Sequence, residues 1–325
     1  MGKYIVTGAA GFIGSHLVEA LLAQEETVIA IDEFNNYYDP TFKRANLAGV
    51  LDHPQLTLIE DNILNLDWTT LLEEVEVIFH QAAQAGVRAS WGKTFSFYTE
   101  RNLNATQVIL EAAKEAKHLK CFVYASSSSI YGNAQTLPTS ESSCPQPVSP
   151  YGITKLAAEQ LCWQYHQNFG VPATALRYFT VYGPRQRPDM AFHKFFKAAL
   201  QEETISIYGD GLQTRDFTFI SDAIAANLAA ATIPQAVGQV FNIGGGSRVS
   251  LMQVLDIMET VIGHPITRHY LPKATGDARD TSAEISKAQA TLGYHPQVNL
   301  KAGLMQEWEW IQRIYSVSKY GKETN

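Results

Sequence analysis

Cysteine, long apolar runs and metal-binding histidine spacings are all scarce in this chain of 325 residues. The three cysteines, Cys121, Cys144 and Cys162, are an odd and scattered set, which argues against a disulfide framework and favours reduced thiols in the cytoplasm. The nine histidines form no paired metal-ligand spacing, so we predict no metal. No stretch is long and apolar enough to cross a membrane. A strand-like run begins by about Lys3, so we expect no signal peptide.

Charge is limited as well. The net charge is −7 at pH 7, and charged residues make up 18% of the chain, with no long run of one sign. A mildly acidic protein lacks the positive surface of a nucleic-acid binder, so any phosphate site has to be built locally. A hydrophobic content of 46% over this length is enough to bury a large core. We therefore expect a globular cytoplasmic protein without nucleic-acid or membrane partners.

Short apolar runs alternate with helical spacing through the first half of the chain. The runs are rich in valine, isoleucine and phenylalanine, which is typical of strands buried on both faces of a parallel sheet. Parallel strands need crossover connections, and the intervening helical stretches supply them. The pattern predicts an α/β fold with a doubly wound parallel sheet. The predicted strands are 4–8, 28–32, 56–61, 75–82 and 121–127, with a late one inside 241–246.

Three glycines, Gly8, Gly11 and Gly14, lie between the first predicted strand and the helix that starts near Phe12. In a Rossmann fold the first allows a tight turn, the second lets a pyrophosphate approach the backbone, and the third permits close helix packing. The helix N-terminus then offers free N–H groups and partial positive charge to the phosphates. Asp32 ends the next strand roughly 20 residues on, where a carboxylate binds ribose hydroxyls and disfavours a 2′-phosphate. These features predict NAD rather than NADP.

The sequence pattern changes beyond about residue 180, where short predicted strands are separated by glycine and proline. We therefore expect a smaller mixed α/β lobe in this part of the chain. The elements predicted there are strands at 205–209 and 216–220 and helices near 251–262 and 300–314, followed by a polar tail, 319–325, that is expected to fray. The expected NAD-binding domain is 1–178, completed by about 216–246, and the expected lobe is 179–215 with 247–325.

A tyrosine and a lysine lie on one face of a helix that begins after Ser149 and Pro150. Tyr151 and Lys155 are four residues apart in SPYGITK, so their side chains are neighbours. A nearby ammonium and a nicotinamide cation favour the phenolate, which makes the tyrosine a usable general base for a sugar hydroxyl. The segment YASSSSIYG runs from a strand end into a serine cluster, where ligands of such sheets bind. Its hydroxyls could polarise the substrate oxygen and share its proton.

Taken together, these motifs resemble the extended short-chain dehydrogenase/reductase family, the NAD-dependent nucleotide-sugar epimerases and dehydratases. The resemblance covers nearly the whole chain and is carried by TGAAGFIGSH, HQAAQAGVR, YASSSSIYG, SPYGITK, LRYFTVYGPRQRPDMAF and YGDGLQTRDFTFISD. It implies a bound NAD and a C-terminal lobe that holds a nucleotide diphosphate sugar.

By this resemblance Tyr151 is the base, Lys155 its tuning partner and Ser127 the proton-sharing hydroxyl, although Ser128 or Ser129 could share that role. The residues it implies at the cofactor are Gly8, Gly11, Phe12, Ile13, Gly14, Asp32, Asn35, Asp61, Asn62, Ala82, Gln84, Tyr151, Lys155 and Tyr178. Those it implies at the substrate are Arg88, Ser128, Ser129, Thr180, Arg187, Arg215 and Arg279.

The same likeness narrows the reaction. Dehydratases of the family carry Asp-Glu, and decarboxylases a Glu, where this chain has Ser128 and Ser129, and that departure favours epimerisation at C4 through a 4-keto sugar. TVYGPRQRPDMAF is particularly similar to the UDP-glucuronate 4-epimerase branch, which implies that Arg187 and Thr180 bind the uronate carboxylate. A planar guanidinium suits that task because it can grip a carboxylate with two hydrogen bonds.

Three alternatives stay open at this point. One is UDP-glucose 4-epimerase, another is a UDP-uronate decarboxylase or sugar dehydratase of the same fold, and the third is a non-enzymatic NAD-sensing protein. The last would need the glycine turn and Asp32, but not Tyr151 with Lys155. The resemblance also implies a homodimer built by a four-helix bundle of the helices near 95–117 and 150–170, although helical patterning alone is equally compatible with core burial.

Overall fold

A computed structural model describes residues 2–273 and 275–320, so most of the tail expected to fray, 321–325, lies outside the described residues. The strands are β1 (Lys3–Thr7), β2 (Thr27–Ile31), β3 (Leu56–Ile59), β4 (Val77–His80), β5 (Cys121–Ser127), β6 (Ala173–Tyr178), β7 (Val181–Tyr182), β8 (Ile205–Tyr208), β9 (Thr214–Asp216), β10 (Thr218–Phe219), β11 (Val240–Ile243), β12 (Arg248–Ser250) and β13 (Arg268–Leu271). The helices are α1 (Phe12–Leu22), α2 (Pro40–Leu47), α3 (Trp68–Leu71), α4 (Phe95–Tyr98), α5 (Ala105–Ala113), α6 (Pro150–Phe169), α7 (Ala191–Leu200), α8 (Ile220–Thr232), α9 (Leu251–Ile262), α10 (Ser286–Leu292) and α11 (Leu300–Tyr320).

Seven strands form one sheet in the order β11-β6-β5-β4-β1-β2-β3, and every neighbouring pair is parallel. The chain runs outward from β1 to β3 on one side and then returns to build the other side from β4. The point where the order reverses lies between β1 and β4, and ligands of such sheets bind outside the strand ends at that point. The predicted doubly wound parallel sheet is confirmed.

Two layers of apolar side chains cover the sheet. Side chains from α1, α7, α8, α9 and α11 form one buried cluster with the sheet. Side chains from α3, α5 and α6 form the second cluster, around residues such as Ile78 and Phe122. Strands β4 and β5 are buried along their whole length because they have helices on both faces, which explains their continuous apolar sequence.

The second half of the chain adds three two-stranded sheets, β10 with β7, β12 with β9 and β13 with β8. The single strand expected at 216–220 is instead two short strands and the start of α8. The reason is a change of partner at Phe217, because β9 pairs antiparallel with β12 whereas β10 pairs parallel with β7. The expected helix at 95–117 is also interrupted, since Thr99–Asn104 form a π-helical turn between α4 and α5.

Across residues 2–273 and 275–320, none of the helices combines the length and the apolar character that a membrane span requires.

Candidate functional site

The glycine turn lies at the carboxyl end of β1, where the sheet order reverses. Gly8 has a φ of 65°, a left-handed conformation that glycine adopts without strain. A Cβ on Gly14 would lie 2.1 Å from the carbonyl oxygen of Gly8, and one on Gly8 would lie 2.8 Å from the backbone of Ala82. No side chain caps the N-terminus of α1, which starts at Phe12 and Ile13, so its first N–H groups stay free for an anion.

A cavity of about 70 Å³ opens beside this turn. The predicted cofactor residues that line it are Gly8, Asp32, Asn35, Asp61, Asn62 and Ala82. Glu33 and Arg101 line it too and form an ion pair in which Nε lies 2.7 Å from Oε1. Although burial opposes it, hydrogen bonds from Arg101 and Asn35 hold the pKa of Glu33 below its usual value. This site fits a dinucleotide, because the glycines pack closely, the N-terminus of α1 has no side-chain cap and a polar cavity lies beside them.

Asp32 is buried and already has partners. Its Oδ1 accepts from Lys43 Nζ at 2.8 Å and from the Phe34 N–H at 2.9 Å, and its Oδ2 accepts from the Ala10 N–H at 3.1 Å. The carboxylate is therefore charge-balanced rather than free. Lys43 lies on α2, eleven residues away, and no motif in the sequence pointed to it.

Tyr151 stands at the start of α6. Pro150 begins the helix, and the Ser149 side chain caps it by accepting from the Gly152 N–H at 3.1 Å. A Cβ on Gly152 would lie 2.6 Å from the carbonyl oxygen of Ser129, so the helix packs directly on the serine segment. This close packing brings the Ser127 hydroxyl close enough to the Tyr151 phenol to lower its pKa.

The electrostatics of this pair differ from the expected ones. Burial raises the pKa of Tyr151, while the hydrogen bond from Ser127 and the positive charge of Arg187 lower it. Burial lowers the pKa of Lys155 to about 7, and its Nζ lies 4.5 Å from the ring centroid of Tyr124. Among the described groups that act on the phenol, Arg187 is therefore the cation that favours the phenolate.

The four serines of the cluster have separate environments. Ser126 donates to Glu159 Oε2 at 2.5 Å, inside a buried network that also contains Arg177. Ser127 ends β5, lowers the pKa of the Tyr151 phenol and accepts from the Ser129 N–H at 3.1 Å. Ser128 and Ser129 begin a 3-10 turn that ends at Ile130. Ser127 is therefore the serine of the cluster that acts on the Tyr151 phenol.

Arg187 is close enough to Tyr151 to act on it electrostatically, and Asp189 binds the Arg187 guanidinium through two hydrogen bonds. Arg187 Nε is 2.9 Å from Asp189 Oδ1, and its Nη2 is 3.0 Å from Oδ2. The Tyr37 hydroxyl donates to the same Oδ2 at 3.1 Å. Thr180, the other residue expected at the carboxylate, follows β6, and its carbonyl accepts from the Thr218 N–H at 3.0 Å.

Tyr178 and Gln84, two further predicted cofactor residues, are held by neighbouring polar side chains. The Tyr178 hydroxyl donates to Asn227 Oδ1 at 2.8 Å. The Gln84 N–H donates to Asn102 Oδ1 at 2.7 Å. Asn102 also donates to Thr154 Oγ1 at 3.0 Å, which ties the loop after β4 to α6. Asn102 lies in the π-helical turn, and such turns are frequent at functional sites, but the sequence carries no signal for one.

The remaining predicted arginines lie on a second cavity, of about 190 Å³, or at its edge. Arg215 and Arg279 line it; Arg215 donates to the carbonyl of Ala278 at 2.7 Å, and Arg279 pairs with Asp210 at 2.9 Å. Arg88 instead bridges the two halves of the molecule.

The bridge joins the loop after β4 to the second half of the chain. Arg88 Nη2 lies 2.6 Å from Asp277 Oδ2, and the guanidinium lies 4.1 Å from the ring centroid of Tyr208. The structure thus brings the predicted residues to two adjoining places, the switch point of the sheet and the second cavity. Among the described residues, no group of three or more histidine, cysteine, aspartate or glutamate side chains could hold a metal ion.

Comparison with known proteins identifies the family. The sequence profile described as the NAD dependent epimerase/dehydratase family matches residues 4–244. The chain belongs to this family. Its family and NAD dependence, both expected from the motifs, are thereby confirmed. A Bacillus subtilis (strain 168) protein named as an uncharacterized UDP-glucose epimerase is 46% identical over 314 residues, which cover 96% of this chain and 99% of the relative.

Two further family members carry a more specific name. UDP-glucuronate 4-epimerase of Thermodesulfobacterium geofontis is 37% identical over 98% of this chain and 99% of its own. The crystal structure of UDP-glucuronic acid 4-epimerase from Bacillus cereus, in complex with UDP-glucuronic acid and NAD, is 44% identical. It covers 96% of this chain and 100% of that one, with a TM-score of 0.94, so the fold agrees over almost the whole length.

Proposed function

We propose that the protein is an NAD-dependent epimerase that inverts C4 of a UDP-sugar, with UDP-glucuronate and UDP-galacturonate as the interconverted pair. The observation that carries the proposal is the proximity of Arg187 to Tyr151. The guanidinium lowers the pKa of the phenol, and the phenol in turn raises the pKa of the guanidinium. A base for a C4 hydroxyl and a cation for a C6 carboxylate are therefore close enough to act on each other electrostatically, as a uronate requires.

The residues present fit NAD, because the glycine packing, the open end of α1 and the cavity lined by Asp32 and Asn62 adjoin the Tyr151 helix. When bound, NAD would take a hydride from C4 of the sugar and later return it. Tyr151 would take the proton of the C4 hydroxyl, and the Ser127 hydroxyl, which lowers the pKa of the phenol, would share it. Lys155 would hold the nicotinamide ribose.

The substrate would be held from two directions. Arg187 and Thr180 would bind its carboxylate, and Arg215 and Arg279 its diphosphate, since both line the second cavity. Ser128 and Ser129 would face the sugar without supplying an acid. The absence of a carboxylic acid at these two positions weighs against a dehydratase or decarboxylase.

A second candidate is UDP-glucose 4-epimerase, favoured by the name of the Bacillus subtilis relative. Incubation with UDP-glucuronate and UDP-glucose, followed by product analysis, separates the two. We expect a C4 epimer of the uronate without net NADH formation. Net NADH would indicate a dehydrogenase, and an epimer of the neutral sugar alone would favour the second candidate. Tyr151→Phe should abolish turnover and retain NAD, whereas undiminished turnover would remove the assigned base.

We further propose a homodimer that buries the helices around α4, α5 and α6. Large apolar side chains are exposed on these helices, among them Phe97 at 50%, Ile153 at 52% and Trp163 at 45%. Phe97→Asp with Trp163→Asp should convert a dimer to a monomer in sedimentation. A monomeric unmodified protein would contradict this proposal.

The expected domain division, 1–178 with 216–246 against 179–215 with 247–325, also stays a proposal, supported by the separate small sheets of the second half. The free cysteines are compatible with a reducing, cytoplasmic location.

A further inference from the structure

The guanidinium of Arg187 has a protein carboxylate of its own. Asp189 binds it through two parallel hydrogen bonds, from Nε at 2.9 Å and from Nη2 at 3.0 Å. Such a two-point grip fixes the plane of the guanidinium as well as its position. Within the described residues, Nη1 has no hydrogen-bond partner, so both of its N–H groups remain for a ligand, together with the second N–H of Nη2.

Asp189 is in turn held by Tyr37, from the loop after β2. The Tyr37 hydroxyl donates to Asp189 Oδ2 at 3.1 Å. Burial raises the pKa of Tyr37, so the hydroxyl keeps its proton and stays a donor. The same hydroxyl packs against Gly86, where a Cβ would lie only 2.3 Å from it.

The backbone that packs against the Tyr37 hydroxyl is itself held by a hydrogen bond. Gly86 has a φ of 101°, and its carbonyl accepts from the Tyr98 hydroxyl at 2.7 Å. The ring of Tyr98 lies edge-on to that of Tyr151, with centroids 6.3 Å apart. The Tyr37–Asp189–Arg187 chain is therefore tied to the backbone that surrounds the proposed base.

We propose that Asp189, held by Tyr37, is a positioning residue that aims Arg187 Nη1 at the substrate carboxylate and balances most of its charge. This inference rests on the proposed function. An unbalanced arginine would bind a uronate more tightly but in a less defined orientation. Asp189 would thus lower the affinity of the site for a uronate and fix the orientation in which the uronate binds. It would have neither effect on a neutral hexose.

The test uses the NAD-loaded protein with UDP-glucuronate and UDP-glucose. Asp189→Asn keeps the shape of the side chain and removes its charge. We expect kcat for the uronate to fall about tenfold while its KM also falls, about threefold, because the carboxylate gains a free cation and loses its alignment. Both constants for the neutral sugar should change less than twofold. General damage to the site would instead raise KM or lower kcat for both sugars, which would overturn the inference.

Tyr37→Phe is a milder second variant, because it removes only the hydroxyl that holds Asp189. It should give a smaller fall in kcat, again for the uronate alone. Tyr38→Phe is the matched control, since the Tyr38 hydroxyl makes no hydrogen bond to any described residue, and it should match the unmodified protein. Equal effects of the two changes would also overturn the inference.

Calorimetric binding of both sugars to the same proteins separates this inference from the proposed function. If the unmodified protein fails to epimerise UDP-glucuronate, the proposed function fails. The inference is then decided by binding, which should become tighter for the uronate alone in Asp189→Asn. Unchanged or weaker uronate binding in a folded variant would refute it.

Discussion

Gly14→Ala is the most direct test of the link between the sequence motif and the cofactor site. The added Cβ would lie 2.1 Å from the carbonyl oxygen of Gly8 and 2.9 Å from the Cα of Ala9, both backbone atoms of the turn. Since no side chain can rotate away, α1 must move from the turn by about 1 Å. Overpacking of this kind costs about 1–3 kcal/mol. The better helix propensity of alanine returns about 1 kcal/mol.

The net loss of stability should therefore be small, at most about 2 kcal/mol. The change should also weaken NAD binding, because the displaced N-terminus of α1 would no longer direct its N–H groups at the pyrophosphate. We expect the Kd for NAD to rise at least about tenfold, which corresponds to about 1.4 kcal/mol. Urea unfolding measures the first quantity and calorimetric titration with NAD the second.

Gly49→Ala is the matched control. A Cβ at Gly49 would meet no atom within 4 Å, so the change should leave NAD binding intact and raise stability slightly. If both variants bound NAD equally well, the glycine packing would not be what holds the pyrophosphate, and the geometric reasoning would be refuted.

Three other predictions concern buried charge and are all measured by urea unfolding. Glu159→Ala leaves the buried Arg177 without its carboxylate and should cost about 3–5 kcal/mol, whereas Glu111→Ala, at an exposed ion pair, should leave the urea midpoint unchanged. Lys155→Met should be more stable than the unmodified protein at pH 7, and this gain should shrink toward pH 10. Burial lowers the folded-state pKa of Lys155 to about 7, so between pH 7 and pH 10 the lysine binds a proton mainly in the unfolded state. The stability of Glu307→Gln relative to the unmodified protein should be greater at pH 7 than at pH 5. Burial raises the pKa of Glu307 well above normal in the folded state, so only the unfolded state releases this proton between the two pH values.

The sheet and one side of the site could be predicted because their signals are local. Buried parallel strands carry uninterrupted apolar sequence, and β5 begins and ends where that sequence predicts, at Cys121 and Ser127. Several residues expected at the cofactor lie within two residues of a strand end, as Gly8, Asp32 and Ala82 do. Parallel strands end at one edge, so a sequence that shows strand ends also shows where the ligand groups gather.

The partners of these groups could not be predicted, since each pairing depends on the folded chain. Tyr37 and Asp189 are 152 residues apart, and Arg88 and Asp277 are 189 apart. No periodic pattern or motif spacing links such positions. The π-helical turn before α5 was missed for a related reason, because its sequence carries no signal that separates it from an α-helix and only the fit of Asn102 to the loop after β4 distinguishes it.

Pairing also changes how charge at the site should be interpreted. Four of the charged side chains expected to bind a ligand already have a counter-ion from the protein. The pairs are Asp32 with Lys43, Arg88 with Asp277, Arg187 with Asp189 and Arg279 with Asp210. An isolated charge at a partly buried site is costly, so the folded protein balances these four before any ligand arrives. The preference for a uronate over a neutral sugar therefore depends on the hydrogen-bonding capacity that Arg187 keeps after pairing, which is both N–H groups of Nη1 and one of Nη2, and not on the number of arginines in the motif.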